Sequence, residues 1–391
     1  MNIARLAADQ QQMMVGLRRH FHMYPETGLN EYETSAEIQS ALVRLGIPFK
    51  TVSPTGLIAT IEGAQPGRTV ALRADMDALP LQEKNENDYV SRNPGVCHAC
   101  GHDAHMAMLL GAAAVLAGIK DQIKGTVKLV FQPAEEIFSG ARVIIDAGGI
   151  DGADGIFGLH IMGHLPVGQA AVSPGPIMAA ANHFTVNVSG RSGHGGRPHE
   201  GVDALLAASS IVMNLQSIAS REVNPLDTVV VSIGRLSAGT AYNITAGSAV
   251  LEGTTRCFSE DVNKALPERM ERIITNTARA YGAEARLDYT PSVPPTVNDP
   301  FCTNLAEKTI DEVCGTDNRR RQQPVTGAED FALYLERIPG VFVFLGAGNK
   351  EKGLAFPQHH GSFDIDEDAL PIGAALYAGY AVDFLNDSGG E

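Results

Sequence analysis

Short apolar segments alternate with helical segments along the first 161 residues of the chain. Apolar runs predict buried strands at 56–63, 69–76, 125–136 and 155–161, and the residues between them have helical periodicity. This alternation is typical of an α/β layer structure with a mainly parallel sheet. Open α/β sheets place their active sites beyond the carboxyl ends of the strands, where this sequence carries polar residues. We therefore expect a site at these strand ends.

The pattern changes after residue 181. Between 182 and 293 the elements follow the order β-α-β-β-α-β, which is a ferredoxin-like arrangement. The Pro-rich segment 291–300 is typical of a linker, and the α/β pattern then resumes. The sequence thus predicts a catalytic α/β domain formed by residues 1–181 and 294–391, with a ferredoxin-like domain, residues 182–293, inserted between these two segments.

Charge and cysteine content restrict the partners. The formal net charge is −15, whereas phosphate binding needs a surplus of Lys and Arg, so we expect no nucleic acid. No run approaches the roughly 18 apolar residues of a membrane span, and the N-terminus has no apolar signal segment. Five cysteines, an odd number, do not indicate a disulfide framework. We expect a cytoplasmic protein that favours divalent cations.

The segment CHACGHDAH at 97–105 is the first candidate for metal binding. Cys100 and His102 are two residues apart, so an extended segment would point both side chains the same way. Thiolate and imidazole are good ligands for zinc and similar ions. A redox pair of Cys97 and Cys100 and a structural zinc knuckle are the alternatives for this segment alone.

Three further positions carry ligand chemistry. Glu135 and Glu136 follow a strand and point to opposite sides, so one can bind a cation while the other faces water; an exposed acidic turn is the alternative. His160 ends an apolar strand, where a hydrogen-bonded core histidine is the alternative. His359 and His360 form a double histidine in a Gly/Pro-flanked loop. Each position alone is a weak indication of a metal site.

Together these segments predict a binuclear centre. Five ligands would come from four separate stretches of chain, and two metals that share one bridging ligand need that number of protein groups. The predicted ligands are Cys100, His102, Glu136, His160 and His359.

A Gly-rich loop opens the first helix of the inserted domain. The segment 190–205 holds His194, Arg197 and His199. A loop that contacts substrate and a loop that binds nucleotide phosphate are both compatible with this composition. The Lys-Ser/Thr of a phosphate-binding P-loop and the full G-x-G-x-x-G pattern are absent, which argues against a nucleotide.

In this order along the chain, the motifs resemble those of one known family. They are LRADMDALP, HACGHDAH, FQPAEE, GLH, SGHGGRPH, GTTRCF, GAEDFALYL and HHGSFDIDEDALPIGAA. Together they resemble the amidohydrolase branch of the metal-dependent aminoacylase/carboxypeptidase superfamily, which includes hippurate hydrolases, N-acyl-amino-acid amidohydrolases and auxin-conjugate hydrolases. The resemblance covers essentially the whole chain. It implies a catalytic α/β domain with an inserted lid or dimerisation domain.

The resemblance also implies roles for the catalytic residues. The five predicted ligands match the family's metal ligands, with Cys100 as the bridge and with His359 aligned better than His360. Glu135 matches the general base and proton shuttle. Asp77 matches a carboxylate that orients a ligand.

Residues of the inserted domain match positions that contact substrate. His194 matches a lid residue that reaches the substrate carbonyl of the partner subunit, which implies a homodimer through the lid. Asn243 and Arg256 match positions that help to hold substrate, and we add His199 to them as a substrate-binding candidate.

The expected activity is hydrolysis of the amide bond of a small N-acyl amino acid by two divalent ions per subunit. Zinc or manganese is expected, and cobalt or nickel would also suit these ligands. The main alternative is a metallo-carboxypeptidase or dipeptidase that acts on short peptides. A non-catalytic metal-binding protein with the same fold is a further alternative, but it would have no reason to keep Glu135.

Overall fold

The computed structural model describes residues 2–387. Its ten α-helices in chain order are α1 Ile3–Ala8, α2 Gln11–Met23, α3 Tyr32–Arg44, α4 His102–Gly118, α5 Gly140–Asp146, α6 Ala204–Leu215, α7 Glu260–Ala280, α8 Pro300–Cys314, α9 Ala332–Leu335 and α10 Ala369–Asn386. Local sequence explains several helix starts. Asp299, for example, accepts a hydrogen bond from the Cys302 N–H at the start of α8, where Pro300 is the first helical residue.

The strands in chain order are β1 Phe49–Val52, β2 Gly56–Glu62, β3 Gln65–Asp75, β4 Lys124–Gln132, β5 Gly155–Pro166, β6 Ala170–Val172, β7 Gly175–Met178, β8 Ala180–Ser189, β9 Gly193–His194, β10 Val229–Ala238, β11 Ile244–Thr245, β12 Ser248–Cys257, β13 Glu284–Val293, β14 Thr296–Asn298, β15 Arg319–Arg321 and β16 Gly340–Gly348.

The chain divides into two compact units. Unit 1 comprises the described residues of Met1–Gly175, Val297–Gln323 and Asp330–Glu391, and unit 2 comprises Pro176–Thr296 and Pro324–Glu329. Each unit has a hydrophobic core of its own. The domain boundaries predicted from the sequence, 1–181, 182–293 and 294–391, stay a prediction.

Unit 1 is built on an eight-stranded sheet in the order β1-β2-β4-β3-β5-β16-β6-β15. The central pairs β4/β3, β3/β5 and β5/β16 are parallel, while β1/β2, β2/β4 and β16/β6 are antiparallel. Helix α4 packs against α2, α10 and strand β3 and is buried along most of its length. The central strands are therefore covered by an apolar helix, as a parallel sheet requires.

Unit 2 contains a four-stranded antiparallel sheet in the order β10-β12-β8-β13. Helices α6 and α7 pack on each other and on this sheet. With the chain order β8-α6-β10-β12-α7-β13, this is the ferredoxin-like arrangement. The predicted fold class, a mainly parallel α/β sheet with an additional β-α-β-β-α-β unit, is confirmed.

Several predicted elements differ in detail. The periodicity of residues 6–24 predicts one helix, but the structure has two, α1 and α2, because the chain turns at Asp9 and Gln10. His160 does not end its strand: β5 continues to Pro166, since its backbone still pairs with β16 there. The linker expected at 291–300 begins as the end of β13 and includes β14.

None of the helices described between residues 2 and 387 is both long and apolar enough to cross a membrane.

Candidate metal centre

The candidate ligands lie at one end of the central strands of unit 1. Strand β3 ends at Asp75, two residues before Asp77, and β4 ends at Gln132, just before the turn that carries Glu135 and Glu136. Parallel neighbours end at the same edge of a sheet, so these carboxylates come together. Cys100 precedes helix α4, and the loop between β16 and α10 supplies the fifth candidate ligand.

A left-handed glycine joins the first two ligands. Helix α4 begins at His102, so the extended Cys100–His102 segment expected from the sequence is wrong. Gly101 between them has φ +94°, a conformation that other residues rarely adopt. The bend there, rather than the alternation of an extended strand, turns both side chains towards one place.

Two groups of possible ligands share Cys100. In each group the donor atoms lie within 4.8 Å of one another; the groups are Cys100 with His102 and His160, and Cys100 with Glu136 and His359. The Cys100 sulfur is 3.3 Å from His160 Nε2, and His359 Nε2 is 3.5 Å from Glu136 Oε2. Ligands of one tetrahedral ion are separated by roughly 3.3–3.8 Å, given metal–ligand bonds of about 2.0–2.3 Å. These separations fit two ions with a shared sulfur.

The histidines each keep one ring nitrogen for such an ion. The Nδ1–H of His102 donates to the Asp77 carbonyl at 2.8 Å, and that of His160 donates to the Ile161 carbonyl at 2.7 Å. A carbonyl only accepts, so Nδ1 of each ring carries a proton, and Nε2 is the nitrogen left to bind an ion. This second hydrogen bond on a ligand histidine is typical of metal sites.

Two buried polar atoms at the centre lack partners. His102 Nε2 and Glu136 Oε1 have no hydrogen-bond partner among the residues that the structure describes. A buried unsatisfied polar group costs about 1–3 kcal/mol. Both residues belong to the candidate ligand groups. The residues present therefore fit a bound divalent cation.

Burial shifts the pKa of the ligands in the metal-free chain. It raises the pKa of the Cys100 thiol well above its ordinary value and raises that of the Glu136 carboxyl, in both cases against the opposing effect of His102. Burial, together with His105, lowers the pKa of His160 well below its ordinary range. His160 is therefore neutral, as a ligand must be, and a bound cation would favour the deprotonated thiol and carboxylate.

The structure separates the two adjacent histidines of the last loop. His359 has a left-handed backbone with φ +60°, and its N–H donates to the Ala99 carbonyl at 2.8 Å. The ring of His360 instead stacks on Phe356 with 4.8 Å between centroids, and its Nδ1 accepts from the Ser362 N–H. His359, not His360, belongs to a candidate ligand group.

The Glu135–Glu136 turn is held by Asp77. One Asp77 oxygen accepts the Glu135 N–H at 2.8 Å, and the other accepts the Glu136 N–H at 3.1 Å. The Asp77 carbonyl also accepts from His102. Asp77 thus contacts three predicted site residues through its own hydrogen bonds. Glu135 is 6% exposed, and its carboxylate can lie within 4.8 Å of ligand atoms of His102 and Glu136.

Sequence reasoning missed a buried network beneath the ligands. The Nδ1–H of His105 donates to Asp75 at 2.6 Å, and its Nε2 accepts from the Ile161 N–H at 2.9 Å. Arg73 donates to the other Asp75 oxygen at 2.7 Å. Both nitrogens of His105 are therefore occupied, although its ring lies 4.7 Å from that of His160. The signal in the sequence was the spacing of His102 and His105, which puts them on one face of α4.

The predicted substrate residues lie in unit 2. His194 is in β9, which pairs with β11, and the Gly195 N–H donates to the Asn243 carbonyl at 2.8 Å. His199 is exposed in a 3-10 turn at Pro198–Glu200. Arg256 is half-buried in β12, and burial lowers its pKa. The structure thus places His194 and Asn243 in adjacent backbone segments, at the two-stranded sheet of β9 and β11. Arg256 lies in the four-stranded sheet.

Comparison with known proteins gives a consistent result. The model of peptidase family M20/M25/M40 matches residues 71–383. N-acetylcysteine deacetylase of Bacillus subtilis (strain 168) is 39% identical over 371 residues, 94% of this chain and 96% of the relative. Thermostable carboxypeptidase 1 of Saccharolobus solfataricus is also 39% identical, over 95% of both chains. The crystal structure of the Bacillus subtilis YXEP protein, a dinuclear metal-binding M20 peptidase, superimposes with TM-score 0.86 at 36% identity and covers 97% of this chain and 99% of that chain.

Proposed function

The chain belongs to peptidase family M20/M25/M40, and from this membership we propose that it hydrolyses the amide bond of an N-acyl amino acid. The products are a carboxylic acid and a free amino acid. The observation that supports this most is the pair of ligand groups sharing Cys100 with Glu135 beside them. An N-acetylcysteine deacetylase among the relatives has a substrate of this class.

Glu135 is the proposed general base. When bound, a pair of divalent cations supplies acidified water and a polarised carbonyl. The Glu135 carboxylate takes the proton of the attacking water and delivers it to the leaving amide nitrogen. Its position is fixed by the backbone hydrogen bond to Asp77, which also orients His102. Burial of Glu135 keeps bulk water from competing for that proton.

The ligand set indicates which metals suit the centre. Cys100, His102, Glu136, His160 and His359 are the proposed ligands of two ions per subunit, with Cys100 as the bridge. A thiolate bridge favours zinc, and manganese, cobalt or nickel would also suit the imidazole and carboxylate ligands.

Residues of unit 2 are the proposed substrate contacts. His194 would donate a hydrogen bond to the oxyanion that develops on the substrate carbonyl; losing one such donor typically costs about 2.7–4 kcal/mol of barrier. Arg256, Asn243 and His199 are the candidates for binding the amino-acid carboxylate.

We further propose a cytoplasmic homodimer that forms through unit 2. Leu206 and Met213 on α6 are exposed, as is Val230 on β10. Strand β10 is an edge of the four-stranded sheet, and an exposed apolar edge favours pairing with another chain.

The cysteines support the proposed cytoplasmic location. All five are free thiols, as a reducing compartment favours.

Replacement of the general base tests the proposed reaction. Glu135→Gln should lower kcat on the preferred N-acyl amino acid by about 10²–10⁴-fold, because the proton acceptor is lost, and should leave the metal content of the purified protein unchanged. Glu136→Gln is the matched control, since it should lose metal. Loss of metal in Glu135→Gln would make Glu135 a ligand and contradict the assignment.

A carboxypeptidase or dipeptidase activity is the second candidate. The thermostable carboxypeptidase among the relatives favours it. A panel of N-acetyl, N-benzoyl and indole-acetyl amino acids, assayed beside dipeptides, separates the two. Higher kcat/KM on dipeptides would reject the N-acyl substrate class, and no turnover on either class would reject catalysis.

A further inference from the structure

The turn at residues 134–136, called the catalytic turn below, donates three consecutive backbone N–H groups to buried carboxylates. The Ala134 N–H donates to Glu31 Oε1 at 2.9 Å, and the next two N–H groups, of Glu135 and Glu136, donate to the two oxygens of Asp77. Asp77 comes from the residues after β3, whereas Glu31 comes from the residue before α3. Two carboxylates that are distant in sequence therefore hold three consecutive N–H groups of the turn.

Glu31 is fully buried and uses both of its oxygens. The residue is 0% exposed. Its second oxygen, Oε2, accepts the hydroxyl of Thr55 at 2.6 Å. A buried carboxylate is costly unless its oxygens are hydrogen-bonded. The hydrogen bond from Thr55 therefore fixes the Glu31 carboxylate, and the hydrogen bond from the Ala134 N–H fixes the backbone at Ala134.

The backbone at Ala134 needs such support. Its φ is +55°, and a left-handed conformation at a residue other than glycine costs on the order of 1–3 kcal/mol and persists where its surroundings enforce it. The left-handed residue sets the direction in which the next two side chains leave the turn. These are the proposed base and a proposed ligand.

The segment 26–31 packs directly on the turn. A Cβ atom on Gly28 would lie 3.1 Å from Ala134 Cα and 3.3 Å from Asp77 Oδ2. The Glu26 carbonyl accepts the Ala78 N–H at 2.8 Å. The segment thus contacts both the catalytic turn and Ala78, the residue after Asp77. Its hydrogen bond to the turn is the one that Glu31 accepts from Ala134.

We propose that Glu31 is a positioning residue of the hydrolytic centre: through the Ala134 N–H it fixes the left-handed turn that aims Glu135 and Glu136. The assignment rests on the proposed function of those two residues. It predicts that loss of the Glu31 acceptor loosens the turn even in the metal-free protein, weakens cation binding through Glu136 and slows proton transfer through Glu135.

The test compares three variants. Glu31→Leu removes the acceptor at similar size, and Glu31→Gln keeps an oxygen for the Ala134 N–H. Glu26→Leu is the matched control, because the Glu26 carboxylate lies in the same segment but, among residues 2–387, accepts hydrogen bonds only at the start of α3, from Glu33 and Thr34. Each protein is measured for amide hydrogen exchange at 134–136 without metal, for Co²⁺ affinity, and for kcat and KM.

Glu31→Leu should exchange faster at 134–136 and lose about 10–100-fold in both Co²⁺ affinity and kcat, as is usual when a residue supporting a metal ligand is removed, with KM little changed. Glu31→Gln should retain most of each property. Glu26→Leu should lower the thermal midpoint without changing exchange at the turn, Co²⁺ affinity or kcat.

The proposal would be overturned if Glu31→Leu kept the amide exchange rates and the Co²⁺ affinity of the wild-type protein. It would also be overturned if Glu26→Leu lost as much Co²⁺ affinity and kcat as Glu31→Leu. If Glu31→Leu does not fold, Thr55→Val keeps the Glu31 carboxylate but removes the hydroxyl that holds it; faster exchange at 134 supports the proposal and unchanged exchange overturns it. Exchange and Co²⁺ binding need no substrate, so they decide on Glu31 even if the wild-type protein hydrolyses no N-acyl amino acid.

Discussion

At the scale of single residues, His22 lies between two carboxylates near the centre. Its Nδ1 is 2.8 Å from Asp103 and its Nε2 is 3.0 Å from Glu83. Carboxylates only accept hydrogen bonds, so both nitrogens carry a proton and the ring is an imidazolium. Burial and the Arg18 guanidinium lower the pKa of His22, but the two carboxylates outweigh them and raise it to about 9.

This pKa predicts a loss of stability at alkaline pH. The pKa is about 9 in the folded chain against an ordinary 6.5. The contribution of His22 to the free energy of unfolding is therefore complete below pH 6.5 and lost as pH rises through 9. At about 1.4 kcal/mol per pKa unit, the loss is on the order of 3 kcal/mol.

Urea unfolding of the metal-free protein and of His22→Gln, from about pH 6 to about pH 10, measures this contribution. The difference in free energy of unfolding between the two proteins should shrink across that range. A difference that stays constant with pH would contradict the assignment of a charged His22.

The chemistry of single residues in the sequence was enough to select the residues that form the candidate ligand groups, but not the residues that support them. Cys100, His102 and Glu136 carry unusual chemistry in short motifs, so they were visible. Glu31 was not, because it lies 103 positions from the Ala134 N–H that it accepts. A carboxylate whose partner is a backbone N–H of another segment leaves no pattern in the residues around it.

At the scale of elements, the start of α4 depends on the glycine between two proposed ligands. Gly101 has φ +94°, and a Cβ atom there would lie 2.3 Å from the Ile161 side chain. Both the conformation and the contact disfavour a larger residue, because a side chain there would be strained and would displace the end of Ile161. The junction therefore couples the metal centre to the packing of α4 on the sheet.

Gly101→Ala should lower the free energy of unfolding by about 1–3 kcal/mol, through left-handed strain, and should reduce the Co²⁺ bound per subunit because Cys100 and His102 move apart. Gly118→Ala is the matched control at the other end of the helix, where a Cβ atom meets nothing within 4 Å. It should be neutral or slightly stabilising. Denaturant titration and metal analysis measure both effects, and full metal content in Gly101→Ala would contradict the prediction.

Periodicity predicted the type and order of the main elements because each buries a regular apolar face. It failed where the backbone alone decides. The apolar periodicity predicts a helix from about residue 104, but α4 begins at His102, because the left-handed Gly101 allows it. Strand β5 continues beyond Ile161, because its pairing with β16 continues. Neither the left-handed glycine nor the continued backbone pairing produces a periodic pattern of side chains, so the periodicity of the sequence does not reveal them.

At the scale of the whole molecule, the proposed dimer through unit 2 can be tested on α6. Met213 is 72% exposed there. Met213→Glu should raise the dimer dissociation constant, because it places a charge in an apolar interface. Val43→Glu in α3 of unit 1, where Val43 is 67% exposed, is the control and should leave it unchanged. Analytical ultracentrifugation distinguishes them, and an unaltered Met213→Glu dimer would exclude this face.

The same dimer allows a test of His194 in trans. His194→Ala and Glu135→Gln should each be inactive, and their mixed dimers should regain activity if His194 of the partner subunit serves the site that retains Glu135. Mixing the two proteins after reversible dissociation and assaying turnover measures this. If activity does not return in mixed dimers, His194 acts within its own chain.

The shared sulfur of Cys100 has a thermodynamic consequence. Because one atom belongs to both ligand groups, occupancy of one group changes the charge and position of a ligand for the other. By reciprocity, each cation then alters the affinity of the second by the same factor. A calorimetric isotherm would accordingly deviate from two independent steps, and alkylation of this one thiol would abolish both equivalents together.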